Sequence, residues 1–148
     1  MSTKPRLPGS VDFTAAAYYV GGVALVTGDV GRFENGGDTL TTNIQNPALD
    51  LLGFLNGNGS RYNFGSVGTP MQFDCDRTAT GVVENYGLGS YIYLTAGSGT
   101  ATFNKIINNP ANAAHQFIIA AGAITTLQQV SGFMQLGSAV TATSINVM

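Results

Sequence analysis

The chain has 148 residues, 44 % of them hydrophobic and only 9 % charged, with a formal net charge of −2. This is the length of one domain, with far less charge than the about 25 % of ordinary globular proteins. Six scattered basic residues give no clustered cationic face for nucleic acid, one cysteine forms no intrachain disulfide framework, and no apolar run nears the about 20 residues of a bilayer span.

Residues 1–10 read as an extended arm, because Pro5 and Pro8 fix φ and remove backbone donors. The same prolines, with Gly9 and Asp12, interrupt the apolar core of a signal peptide, so folding in a cytosol is expected. Residues 11–148 read as a single β-rich domain. Val11 to Val30 is apolar and β-leaning, and Asn35-Gly36 suits the positive φ values of a type I′ hairpin leading into a strand over Thr39–Ile44. Asn46 as cap, Pro47 in the first turn, Leu49, Leu51, Leu52 and Leu55 as apolar side and Gly57 as stop predict a short helix. A second helical turn is predicted from Asn109-Pro110 through Ala114.

Met71–Asp76 and Ser90–Thr95 alternate with the period of strands. Ala96–Gly99 reads as a hairpin connection to a returning strand over Thr100–Ile107. Glycines then divide the tail into His115–Ala120, Ile124–Val130, Phe133–Leu136 and Val140–Val147. No repeat at a solenoid period is evident. The expected fold is mainly β: a single antiparallel β-sandwich or barrel-like domain with one or two short helices and the extended N-terminal arm.

No catalytic, cofactor-binding or metal-binding set emerges, and an enzyme is not expected. His115 is the only histidine and stands beside no acid or nucleophile in the sequence. Cys75 lies between Asp74 and Asp76, which disfavour a thiolate, so it reads as a small core residue. Asp29, Glu34 and Asp38 surround turns without the spacing of a calcium loop, and a solvated acidic face pairing with Arg32, Arg61 or Arg77 is the default. The Gly-rich pieces at Asn56–Ser60 and Gly87–Ser90 lack a phosphate-loop ending and read as turns.

The informative anomaly is the tail: after Lys105 no charged side chain follows. Interface cores are depleted in charge while keeping apolar and hydrogen-bonding groups. Much of 106–148 is therefore expected to lie between subunits of a homo-oligomer, a trimer being favoured, with Phe117, Ile119, Phe133, Leu136, Val140, Ile145 and Val147 at the interface.

With the arm MSTKPRLPGS, the body segment TAGSGTATF and the charge-free end GSAVTATSINVM, the chain resembles capsid decoration (cement) proteins of tailed phages. The likeness is one of overall style and carries no diagnostic motif. It implies a non-enzymatic virion protein, made in the host cytoplasm, that sits on the capsid surface and stabilises the lattice of the major capsid protein. In that picture Lys4, Pro5, Arg6, Leu7 and Pro8 would lie along the shell. The alternatives are another self-assembling virion or surface subunit (tail, fibre base or shell), or a carbohydrate-binding β module using Tyr18, Tyr62, Tyr86, Tyr91 or Tyr93.

Overall fold

The computed structural model describes residues 2–34, 36–97, 102–111 and 116–148. Twelve strands follow in chain order: β1 (Thr3–Arg6), β2 (Val30–Phe33), β3 (Thr39–Leu40), β4 (Gln45–Asp50), β5 (Gly53–Asn56) and β6 (Asn63–Phe64). They continue with β7 (Met71–Asp74), β8 (Val82–Asn85), β9 (Tyr91–Thr95), β10 (Phe103–Asn108), β11 (Gln116–Gln129) and β12 (Phe133–Val147). The sole helical element among the described residues is a 3-10 turn over Ala16–Tyr18.

These strands form one sheet, curved as a half-barrel, in which every ladder is parallel. The antiparallel sandwich expected from the sequence is therefore wrong. So is the Asn35-Gly36 hairpin: β2 pairs with β1 and β5, whereas β3 pairs with β6. Parallel neighbours need long crossovers, and the register shows their form. Val30 lies beside Gly53, Gly53 beside Val82, Val82 beside Lys105, Lys105 beside Thr126, and Thr126 beside Ser144. The chain returns to the same place every roughly 20–30 residues, a step in the range of solenoid repeats. It winds as a coil of stacked turns.

Stacking in register places like with like. Phe54, Val83, Ile106 and Leu127 form one buried row; Leu40, Phe64, Ile92 and Phe117 a second; Cys75, Phe103 and Ile124 a third. Each fully buried Leu, Ile or Phe contributes about 1.5–3 kcal/mol. Beside the first row runs a ladder of amides. Asn56 Nδ2 donates to Asn85 Oδ1 at 2.8 Å, Asn85 Nδ2 to Asn108 Oδ1 at 2.7 Å, and Asn108 Nδ2 to Gln129 Oε1 at 2.9 Å. Each side chain fills its neighbour's need, so wholly buried amides carry no desolvation debt.

The helix predicted from Asn46 to Gly57 is instead β4, a bend and β5. Leu49 and Leu51 are buried, as are Phe54 and Asn56, while Leu55 between them is only half-buried; this is the alternation of strands. Pro47 is tolerated because β4 meets β7 only at Gln45 and Asp50, with the register shifting between. The Ala96–Gly99 connection and the Asn109–Ala114 turn fall partly outside the described residues; β9 and β10 flanking the former both run parallel to β11, so they form no hairpin. A corner at Gly65 depends on the missing side chain: φ is +71°, and a Cβ would stand 2.6 Å from Met71 N.

Candidate functional site: the open end of the coil

The last turn is β12. Among the described residues it pairs with β11 alone, leaving its other edge without a strand. Register extends the core rows onto it: Met134 lies over Phe117, Leu136 over Ile119, Ala142 over Ile124 and Ile145 over Leu127. These are core positions by pattern, yet among the described residues no further turn covers them. Leu136 is 37 % exposed, Ile145 54 % and Val147 76 %. Val147 also takes the place of the next amide above Gln129, whose Nε2 turns away to donate to the carbonyls of Ser131 and Gly132. The amide ladder thus closes before the last turn and leaves an apolar layer there.

The opposite end is capped by the chain's own residues. Along the free side of β1, Leu7 N donates to Tyr18 O at 2.8 Å and Val20 N to Pro5 O at 2.9 Å, with Arg6 bridging Tyr19 in antiparallel sense. Phe13 stacks on Phe33 at 6.2 Å and Tyr19 meets the same ring edge-on at 6.5 Å. Phe13, Tyr19 and Leu25 are all buried.

The residues predicted to lie on a capsid are largely consumed by this cap. Lys4 is buried, its Nζ 2.7 Å from Asp29 Oδ2 and donating to Ala24 O. Burial pushes the Asp29 carboxyl up, but Lys4, the Val26 N–H and Ser2 outweigh it and hold the group at about 2. Arg6 is 2 % exposed; its Nη2 donates to Ser10 O and Asp12 O, and its guanidinium lies 4.9 Å from the Tyr19 ring. Pro5 is half-buried, and only Leu7 and Pro8 face outward.

The predicted interface set also divides. Phe117 and Ile119 are wholly buried within this chain's own core. Leu136, Val140, Ile145 and Val147 lie on the last turn, and Val140 packs partly against the core. Phe133 sits on the outer face of β12, beside Gln116 of β11. Reading the tail by charge alone missed Met134 and Ala142; the signal that finds them is their register position over Phe117 and Ile124. His115 lies outside the described residues.

Compared with protein-family models, curated proteins and solved structures, the chain matches none.

Other clefts are less developed. One of about 320 Å³ lies between Thr27, Gly28 and the Arg77–Thr80 corner, where Arg77, Thr78 and Ala79 all have positive φ. Another, of about 310 Å³, lies on the outer face between Tyr93, Gln116, Ile118 and Gln135, under the Ser66–Pro70 loop. The carboxylates are committed within the fold: Asp38 accepts from Gly9 N, Glu34 pairs with Arg32, and Asp50 accepts from the N–H groups of Asp76 and Arg77. Cys75 is buried beside Asp50, Asp76 and Asp74, and desolvation above all raises its thiol pKa. Among the described residues no three potential metal ligands cluster.

Proposed function

We propose that the protein is a non-enzymatic structural subunit that works by assembling with copies of itself, in the manner of a capsid decoration protein on a virion surface. The observation that carries this reading is the uncovered core layer on β12. A coil that closes one end with its own residues, and presents uncharged aliphatic side chains at the other, is shaped for burial rather than for solvent.

The lattice role rests on the resemblance in style and on the low charge. It works by mass action: a protein that binds only the assembled shell stabilises that shell, and linked footholds multiply weak contacts into avidity. Of the five predicted contact residues, Leu7 and Pro8 are the ones exposed and free to touch a shell. The test is occupancy on expanded capsids of wild-type protein and of Leu7→Glu. Saturable binding reduced by the substitution supports the reading; no binding of the wild type would remove the capsid from it.

The groove at Tyr93 favours a second reading, a carbohydrate-binding module. An aromatic ring flanked by Gln116 and Gln135 offers a stacking face with amide donors and acceptors. A glycan array separates the two readings, since specific hits lost in Tyr93→Ala would favour the module.

A further inference from the structure

We infer that the open end of the coil is covered by the same end of a second copy, across a two-fold axis, with β12 beside β12. This rests on the self-assembly reading above and specifies its geometry.

Three observations select this occupant. First, the two ends of the coil differ. Residues 7–25 cover the β1 end through Leu7 N to Tyr18 O, Val20 N to Pro5 O and the Phe13 and Tyr19 rings over Phe33. A head-to-tail stack would have to set β12 against that cap, which already occupies the free side of β1. Head-to-tail contacts build rings or filaments, whereas a patch that meets itself builds a closed pair. With one end sealed, only the latter remains.

Second, the layer is compatible with itself. No residue after Lys105 carries a charged side chain, so two copies can approach without like-charge repulsion. An oppositely charged partner would find nothing to pair with. A second copy brings the complementary need: an identical apolar layer around Leu136, Ile145 and Val147, each at least 37 % exposed in the single chain.

Third, the backbone of the last turn is suited to strand addition. β12 spans Phe133–Val147 and is the longest strand described, with one edge paired to β11 and the other unpaired. Two-fold symmetry brings the edges together antiparallel, so N–H and C=O groups of each copy can pair with those of the other. A three-fold arrangement would turn each open end toward two neighbours and leave part of this edge unpaired. The geometry therefore favours a dimer over the trimer expected from sequence.

The test is the molar mass of the full chain by sedimentation equilibrium over a wide concentration range, for wild type and for Ile145→Lys/Val147→Lys. Both side chains are more than half exposed in the single chain, so the substitutions leave the monomer folded; circular dichroism verifies this. The wild type is expected at twice the 15.3 kDa chain mass. Burying unpaired ammonium groups in an apolar layer costs several kcal/mol, so the double variant should associate at least about 100-fold more weakly. A triple-mass species would keep self-assembly and overturn the two-fold pairing. An open-ended series of masses would overturn the sealed-end argument, and so the pairing, while leaving self-assembly intact. A single chain mass throughout would overturn both readings, as would an unchanged double mass in the Lys variant for the role of this end.

Discussion

The two ends of the coil solve the same physical problem in opposite ways. Any stack of parallel turns has a first and a last layer whose inward side chains and strand edge need cover. At the β1 end the cover is intramolecular: Phe13, Tyr19 and Leu25 close the core, Arg6 spans the cap, and Lys4 neutralises the buried Asp29. At the β12 end Ile145 and Val147 stand where core residues would stand, with no cover from the described residues. The β12 end is therefore where the proposed second copy would bind.

The largest contrast is expected between substitutions at the two ends. Phe33→Ala, which removes the ring shared by Phe13, Tyr19, Phe54, Tyr62 and Phe64, should cost about 3–5 kcal/mol in urea unfolding. A loss under 1 kcal/mol would mean the cap does not pack as described.

Lys4→Met should cost about 3 kcal/mol at neutral pH, since it strands a buried carboxylate. The pair also sets an acid dependence. Asp29 is held at about 2 against 3.8 unfolded, so its contribution is fully present above about pH 4 to 5 and is lost as pH falls toward 2. Urea midpoints at pH 7 and pH 2.5 should therefore differ less in the variant than in the wild type; an equal acid loss in both would detach Asp29 from Lys4.

Asn85→Ala should cost about 2–3 kcal/mol, because it leaves the Asn56 donor and the Asn108 acceptor buried without partners. The effect belongs to the middle of the coil and should not depend on protein concentration. Smallest is Ile145→Ala in dilute protein, expected below about 1 kcal/mol because the side chain is already half in water. Its cost should grow as concentration rises and the end becomes covered. A constant small cost would leave the two ends alike in having no partner.

Strand content was legible in the sequence where the signal is local. Met71–Asp74 and Tyr91–Thr95 alternate, and they are strands. Pairing was not legible, because each partner lies roughly 20–30 residues away and the steps are unequal, which hides the repeat. Turn chemistry misled: Asn35-Gly36 fits a hairpin, but the flanking strands β2 and β3 pair with β5 and β6 rather than with each other. Leu49, Leu51, Leu52 and Leu55 fit a helical stripe and a bent pair of strands equally well, and only tertiary packing decides between them. Asn56 reads as part of a turn, and no local pattern singles out Asn85 or Asn108; only the register sets the three one turn apart as an amide ladder. The missing charge after Lys105 reads as intersubunit burial over much of 106–148, whereas Phe117 and Ile119 lie in the chain's own core and, among the described residues, the last turn is the part left open.

The most direct test of the open end is amide hydrogen exchange of the full chain as a function of concentration. At high dilution the β2 and β5 amides should be protected, while those of Phe133–Val147 on the unpaired edge exchange quickly. As concentration rises, protection should appear on β12 and leave β1 and β2 unchanged. Exchange on β12 that stays fast at every concentration would contradict the account.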